Sequence, residues 1–389
     1  SSVFRMPVDI DFTVDGKRHA FKVEIREKAH NFYFGLPGKP QMVRFDPGSN
    51  LLKTVDFKRA KDMLVCQLKD DDDAIGRIDA AKELAKLGTP EAVGALKDAV
   101  LHDAFWAVQN EAARALGGMR SEIARDALLG CLKVRHPKAR RGVVAALGQF
   151  REDDAAAAAL EGILRKGDAS YHVEAMAAQE LGQTRVPRAF DVLSKVAMAK
   201  ESQNDVIRAQ ALVGLTELKD ESALPIAIEW TKRGKSNPVR GAAAFALGKL
   251  GQINDQTKEK AYDCLVPLLS DEWLRVRLNA IAALVELKLP KAVAELERTR
   301  VRDLDGRVVR AAREAIVRIR EGADKGDEVK KLREDLEKLQ EDNRSLKDRL
   351  DKLESRANGA KAAPKKAAAA AKAPAKRRAV RVAAARSRR

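Results

Sequence analysis

Residues 237–250 read NPVRGAAAFALGKL, and this stretch decides the fold of most of the chain. With a helical period, its apolar residues fall on one face: Val239, Ala242, Ala243, Ala246, Leu247 and Leu250. Alanines in the centre of that face let a neighbouring helix approach closely, while leucines fill the ends. A second apolar helix follows, formed by Ala261, Cys264, Leu265, Leu268 and Leu269. Because neither helix can bury its apolar face alone, the sequence predicts that such helix pairs stack on one another.

The same pattern occurs eight times between about Asp72 and Arg320. The aligned segments are Arg77–Leu84, Gln109–Leu116, Arg140–Leu147, Glu174–Leu181, Arg208–Leu215, Arg240–Leu247, Arg277–Leu284 and Arg310–Val317. Their last residues recur at intervals of 32, 31, 34, 34, 32, 37 and 33 residues. Self-similarity at such a period is typical of helical repeats. In four units a glycine follows the aligned leucine, where a Cβ would crowd the next element: Gly117, Gly148, Gly182 and Gly248.

The repeats resemble the short HEAT-like repeats that are also found in phycobilin lyases, over about 250 residues. We therefore predict a mainly α fold, with a HEAT-type α-solenoid of eight units at residues 56–322. A repeat of this kind predicts the fold and says little about function.

Six of the aligned segments begin with arginine. We expect these side chains to form a ladder along the inter-repeat turns, each with an acid five residues earlier, as in Asp72/Arg77. The alternative is that they are solvated helix ends. These arginines are Arg77, Arg140, Arg208, Arg240, Arg277 and Arg310.

The first 55 residues have the alternating pattern of β-strands. We predict four strands, at residues 3–14, 21–25, 32–36 and 42–45, with a hairpin turn at Asp15-Gly16. Four such strands resemble half of a β-sandwich, whose apolar face needs a cover. Either the first repeats cover it or the natural chain begins earlier, and we favour an earlier beginning.

Residues 326–357 change to a seven-residue period with leucine at every d position, which predicts a coiled coil. A single asparagine at an a position favours a parallel two-stranded register. We therefore expect a homodimer, against the alternative that this helix packs on the chain's own solenoid. The residues that would carry dimerisation are Leu332, Leu336, Leu339, Asn343, Leu346, Leu350 and Leu353.

Residues 358–389 are rich in Ala, Lys, Arg and Pro, and predict a disordered basic tail. The part from residue 360 onward contains eleven Lys or Arg and no acid, so it supplies eleven of the chain's seventeen net positive charges. Such a tail would bind nucleic acid or another polyanion non-specifically, or would act only as a solubilising segment. The residues predicted to contact polyanions include Lys365, Lys366, Lys372, Lys376, Arg377, Arg378 and Arg381.

We identify no catalytic, cofactor-binding or metal-ligating residue within these 389 residues. Three widely spaced cysteines indicate neither a disulfide framework nor a zinc knuckle, and they favour a reducing, cytoplasmic location. Helical-repeat metal oxygenases that hydroxylate a lysine derivative place His-Glu pairs at equivalent helix positions. Here those positions are Gln109, Arg140, Glu174 and Arg208, so that resemblance fails.

The N-terminal strands resemble a different family. Residues 7–10 (PVDI), 32–34 (FYF), 39–47 (KPQMVRFDP) and 51–53 (LLK) are similar to the small β-sandwich that follows the catalytic domain in aminopeptidase N-like zinc metallopeptidases. The resemblance covers about the first 80 residues. It implies that the chain is the C-terminal part of such an enzyme, with zinc bound by residues upstream of Ser1, so no catalytic residue is carried over.

Two functional hypotheses follow. The first is a non-catalytic C-terminal part of an aminopeptidase N-like protein, which shapes substrate access and mediates association; whether the parent is active stays open. The alternative is a stand-alone HEAT-repeat scaffold that binds a protein partner on the solenoid surface, with nucleic-acid association through the tail as a weaker option. No membrane association is expected, because no apolar run approaches the length of a membrane span.

Overall fold

The structure is a computed structural model that describes residues 5–322, 335–336, 338–341, 343–344 and 347. Residues 5–322 belong to one compact unit, in which a small sheet precedes a helical solenoid. The strands are β1 (Met6–Val14), β2 (Lys17–Ile25) and β3 (Met42–Phe45). The helices are α1 (Lys61–Asp70), α2 (Ala74–Leu87), α3 (Pro90–His102), α4 (Trp106–Met119), α5 (Glu122–Leu129), α6 (Pro137–Leu147), α7 (Asp154–Lys166), α8 (Tyr171–Thr184), α9 (Ala189–Ala199), α10 (Val206–Glu217), α11 (Leu224–Glu229), α12 (Asn237–Leu250), α13 (Asp255–Leu265), α14 (Leu274–Leu287), α15 (Ala292–Arg302) and α16, at residues 306–322.

All eight aligned segments lie in the even-numbered helices. We call α2, α4, α6, α8, α10, α12, α14 and α16 the second-helix layer, and the odd-numbered helices the first-helix layer. Even-numbered helices from α2 to α14 pack on one another in chain order, and each also packs on the helix that precedes it. Their apolar faces join one continuous core that runs from Leu64 to Ile319. The predicted solenoid of stacked helix pairs is confirmed.

Glycine and alanine allow the close approach of helices within the second-helix layer. A Cβ on Gly117 would lie 2.9 Å from the carbonyl oxygen of Ala146, and one on Gly248 would lie 2.8 Å from the Cα of Ala283. A Cβ on Gly182 would overlap the carbonyl oxygen of Gly214. The glycines predicted to avoid crowding therefore lie at contacts between consecutive second-layer helices.

The N-terminal sheet has three antiparallel strands in the order β2-β1-β3. Asp15 and Gly16, which form the β1–β2 turn, both have positive φ, as the tight hairpin turn requires. The apolar face carries Val8, Ile10 and Phe12 of β1. The hairpin turn expected at Asp15-Gly16 is thus present in the structure.

The prediction of a strand at residues 32–36 was wrong, because this segment pairs with no strand. Its alternating burial arises because an irregular segment lies across the apolar face of the sheet. The Phe34 ring is 4.9 Å from that of Phe12 and 5.0 Å from that of Phe21, and Leu36 packs beside them. Aromatic packing between the segment and the sheet therefore produced the same period as a strand.

The solenoid contacts the opposite, polar face of the sheet, at Arg44 of β3. The repeats therefore do not cover the apolar face in the way that we considered from the sequence. That face is covered in part by residues 26–41 and by Leu51.

Most of the predicted coiled coil and all of the basic tail lie outside the described residues. The described residues beyond 322 are helical, and Leu336 and Leu339 are exposed. Leu332, Leu346, Leu350 and Leu353 are outside the description. Dimerisation through this segment and polyanion binding by the tail stay predictions.

Candidate interaction surface

Arginines of the second-helix layer bind aspartates in the turn before the next second-layer helix. Arg77 donates from Nε and Nη2 to Asp103, at 2.7 and 3.1 Å, and Arg140 makes the same two bonds with Asp168, at 2.9 and 2.8 Å. Arg240 binds Asp271 through both Nη atoms, and Arg277 Nε lies 2.9 Å from Asp303. We call these four pairs, together with the Arg44–Asp71 pair described below, the arginine–aspartate ladder.

A ladder pair connects three parts of the fold: the turn before the arginine's helix, that helix, and the turn before the next second-layer helix. The aspartate lies two residues before the capping residue of its helix and accepts a hydrogen bond from the backbone N–H of that residue: from Phe105 to Asp103 at 2.8 Å, and from Trp273 to Asp271 at 3.0 Å. Arg77 Nη1 donates in the other direction, to the carbonyl oxygens of Asp71 and Asp72. Charge-assisted bidentate pairs of this kind fix orientation as well as contributing energy.

The structure corrects the predicted acid partners of the ladder. The residue five positions before the arginine contributes its backbone carbonyl, as Asp72 does to Arg77 and Glu272 does to Arg277. The carboxylate comes instead from 26–31 residues further along the chain. Local sequence proximity suggested the nearer acid, whereas stacking brings the next turn alongside.

Strand β3 supplies the first arginine of the ladder. Arg44 binds Asp71 and also donates from Nη2 to Asp73 at 2.7 Å. Arg44 and Asp71 are both buried, and Gly76 leaves the space that the guanidinium occupies. The sheet therefore joins the solenoid through the same kind of bond that joins one repeat to the next.

The repeats with α4, α8 and α10 lack a ladder pair. Arg310 in α16 is the last arginine of the aligned series. Gln109 replaces the arginine in α4, and the corresponding turn has Val134 in place of aspartate. In α8 the signs of the two charges are exchanged: the helix supplies the acidic Glu174, which lies 2.6 Å from the basic Lys200. Arg208 in α10 pairs with Asp205 of its own turn, while Arg310 is largely exposed and lies 3.7 Å from Glu314.

From α2 to α14 one face of the second-helix layer is exposed or half-buried, at positions 2, 5 and 9 after the first residue of each aligned segment, with the exception of the buried Gly142. These positions share a helical face because they differ by three, four and seven residues. Equivalent positions also meet across adjacent helices, since Lys249 of α12 binds Glu286 of α14 at 3.0 Å. This face is therefore continuous from repeat to repeat.

The middle of this face carries almost no charge. From α6 to α12 its exposed or half-buried positions hold nine uncharged residues, which we call the neutral stripe: Ala145, Gln149, Met176, Gln179, Gln183, Gln210, Val213, Ala242 and Phe245. Glu217 and Lys249 at its edge are charged. The equivalent position 5 is Lys82 in α2 and Arg114 in α4. In a chain with 34% charged residues, the stripe is a clear local departure.

Phe245 is the largest exposed apolar side chain in the stripe, at 41% relative exposure. Lys249, one turn further on, lies 5.9 Å from the centre of its ring. The glutamines of the stripe make no side-chain hydrogen bond to any described residue. Their amides can donate and accept, so they suit contacts with backbone or polar groups of another molecule.

Beside the stripe, the buried carboxyl group of Glu180 in α8 packs against Gly148, the residue that follows α6. Burial, together with the charge of Glu217, raises its pKa from 4.5 to about 7. Because the folded state holds the proton more tightly than the unfolded state, stability is lost as the pH rises from 4.5 through 7.

We therefore expect Glu180→Gln to stabilise the protein at pH 8 by about 1–2 kcal/mol relative to the natural chain, with little difference at pH 4.5. Guanidinium unfolding at the two pH values measures this difference. Parallel pH profiles for the two proteins would contradict the assignment.

The possible metal-ligand side chains in the described part of the chain are not clustered. Among these residues no three His, Cys, Asp or Glu side chains form a group that could hold a metal ion. The oxygenase-like positions are occupied by the buried Gln109 and by the ion-paired Arg140, Glu174 and Arg208. Burial raises the pKa of the Cys131 thiol to about 11, which keeps it protonated near neutral pH. In the described residues no helix is both long and apolar enough to cross a membrane.

Comparison with known proteins identifies the repeats. The family model for HEAT repeats matches residues 95–175, 158–248 and 236–317, which together make up more than half of the chain. The chain belongs to the HEAT-repeat family. No curated protein is detectably similar to it in sequence.

Several solved structures are similar to this HEAT-repeat protein at low identity. Human deoxyhypusine hydroxylase is 21% identical, with 67% of this chain and 96% of that chain covered and a TM-score of 0.31. The CpcE–CpcF complex of phycocyanin lyase from Nostoc is 18% identical, covering 69% and 98%, with a TM-score of 0.34. A karyopherin is 13% identical, covering 68% and 40%, with a TM-score of 0.38.

The family match supports the predicted HEAT repeats, and the comparisons give no support to an aminopeptidase N-like parent. The neutral stripe was not predicted from the sequence. Tabulating positions 2, 5 and 9 of each aligned repeat would have revealed it, because the absence of charge is a property of the stacked repeats rather than of any one helix.

Proposed function

We propose that this HEAT-repeat protein is a scaffold that binds a protein partner along the neutral stripe. The observation that supports this proposal is the run of uncharged, solvent-facing side chains across α6, α8, α10 and α12, with Phe245 exposed in it. The centres of protein interfaces are depleted of charged residues and enriched in aromatic residues and methionine. The stripe lacks charged residues and includes Phe245 and Met176, and its glutamine amides can bind polar groups of a partner.

The rigid core supports this use of the surface. Helices of the second layer touch through glycine and alanine, and the ladder fixes successive turns. A preorganised surface loses little conformational freedom on binding, so more of the contact energy appears as affinity.

The hypothesis of an aminopeptidase N-like parent, with zinc bound upstream, is kept as a separate and narrower prediction. Its support is the sequence resemblance of the first 80 residues alone. The cytoplasmic location, the homodimer and the polyanion-binding tail are likewise predictions from sequence.

The effect of Phe245→Ala tests the proposed surface. We expect the affinity for the partner to fall at least 30-fold, about 2 kcal/mol, because an exposed aromatic side chain in such a surface is a typical hot spot. The partner is obtained by affinity purification on the immobilised chain from source cells, and its Kd is measured by isothermal titration calorimetry.

Ile123→Ala is the matched control. Ile123 is 55% exposed but lies in α5 of the first-helix layer, away from the stripe. Its replacement should leave the Kd unchanged. If both variants weaken binding equally, or if neither does, then the partner does not use the neutral stripe.

A further inference from the structure

Arg208 of α10 meets no aspartate in the turn that follows it. In the ladder the aspartate lies two residues before the capping residue of the next second-layer helix, as Asp168 lies before Ser170. The capping residue of α12 is Ser236, and the residue two before it is Gly234. Gly234 has a φ of +87°, and a Cβ placed on it would meet no atom within 4 Å. The residue at the aspartate position therefore supplies no carboxylate, while the arginine is retained.

Buried donors at this turn lack partners. Arg208 is only 8% exposed and its Nε has no hydrogen bond, whereas the Nε atoms of Arg77 and Arg140 donate to the ladder aspartates. Nη1 of Arg208 pairs with Asp205, three residues before it. The indole N–H of Trp230 and the hydroxyl of Ser236 are also buried without partners. Buried donors without partners destabilise the folded chain, so a ligand that accepts hydrogen bonds from them is favoured.

Positive charge exceeds negative charge at the same turn. The guanidinium carbon of Arg208 lies 4.4 Å from the centre of the Trp230 ring, and Lys235 Nζ lies 4.5 Å from it. Lys232 and Lys235 share Glu229, and Arg233 is exposed. With Asp205, two carboxylates face four cations, which favours an anion.

We propose that the turn at residues 230–236 binds a carboxylate of the protein partner, supplied by an aspartate or glutamate side chain. This inference rests on the proposed scaffold function for the source of the carboxylate. The ligand completes the missing ladder pair, with Arg208 Nε as the main donor, the Trp230 indole N–H beside it and Lys235 adding charge. The donors lie beneath the turn, so binding requires the turn to shift at Gly234. Carboxylate is favoured over phosphate because the other ladder arginines bind carboxylates.

The first test uses acetate as the carboxylate probe and needs no partner. In a Trp106→Phe, Trp273→Phe background, Trp230 is the remaining tryptophan, so its fluorescence reports on this turn. We expect a saturable change on titration with sodium acetate at constant ionic strength, and none with sodium chloride. Arg208→Gln should weaken acetate binding at least tenfold, whereas Arg310→Gln at the exposed end of the ladder should not.

Gly234→Asp provides a second variant that does not remove the buried arginine. Asp tolerates positive φ better than most residues, and it would supply the missing carboxylate within the chain. We expect this variant to fold and to lose the acetate response. Absence of a saturable acetate response in the natural turn, or tighter binding of inorganic phosphate than of acetate, would overturn the carboxylate assignment.

The second test uses the partner and separates this inference from the scaffold proposal. Arg208→Gln should weaken partner binding at least tenfold at low salt and less at high salt. If Phe245→Ala weakens partner binding but Arg208→Gln does not, the scaffold proposal stands and the carboxylate inference is overturned.

Discussion

Replacing Arg240 by methionine should lower the free energy of unfolding by about 3–5 kcal/mol. Arg240 and Asp271 form the most deeply buried ladder pair, with each side chain only 3% exposed. Methionine fills much of the arginine's volume but leaves the carboxylate of Asp271 buried without its counter-charge. Removing one member of a buried ion pair destabilises a protein more than replacing both members, because the remaining charge has neither its counter-charge nor water around it.

The measurement is guanidinium unfolding of the full chain, followed by circular dichroism at helical wavelengths. Arg310→Met is the matched control, since Arg310 occupies the same repeat position but its side chain is 77% exposed. We expect a change below about 0.5 kcal/mol there. Combining Arg240→Met with Asp271→Asn should recover part of the loss, because the stranded charge is then gone. A loss below 1 kcal/mol for Arg240→Met would show that the ladder contributes little.

Replacing Gly182 by alanine should destabilise the protein by about 3 kcal/mol, at the upper end of overpacking effects. The added Cβ would overlap the carbonyl oxygen of Gly214 in α10, which is backbone and has no rotamer to change. Helices α8 and α10 would have to separate, and the contacts around them would loosen. This expected loss of stability is opposite in sign to the usual effect, because alanine in a helix is ordinarily favoured over glycine by about 1 kcal/mol.

Gly162→Ala in α7 is the control with the opposite expected sign. A Cβ at Gly162 would meet nothing within 4 Å, so this variant should gain about 0.5–1 kcal/mol from helix propensity. Thermal and guanidinium unfolding of the two single variants gives the comparison. Stabilisation by both substitutions would show that α8 and α10 are not in close contact at Gly182.

The repeats could be read from the sequence because the apolar period and the recurring glycines are local signals that every unit repeats. Contacts between units were harder to predict. The acid partner of Arg77 was assigned to Asp72 because it is near in sequence, whereas the structure pairs Arg77 with Asp103 of the next turn. The repeat period itself contained this information, since each partner lies about one repeat away.

Two other features needed three-dimensional information. Residues 32–36 alternate like a strand, but Phe34 and Leu36 face the sheet from an irregular segment that pairs with no strand. Periodicity alone does not distinguish these cases. The unpaired Nε of Arg208 could not be predicted from the sequence. It depends on the packing around Gly234 and on which buried donors have hydrogen-bond partners.

The most direct test of the scaffold proposal is site-specific photo-crosslinking in source cells. A benzophenone amino acid is placed at residue 179 in the neutral stripe, and separately at the exposed residue 123 of the first-helix layer. We predict a defined protein adduct from residue 179, lost when Phe245 is also replaced by alanine, and no corresponding adduct from residue 123. Equal adducts from both residues, or an adduct from residue 123 alone, would contradict binding along the stripe.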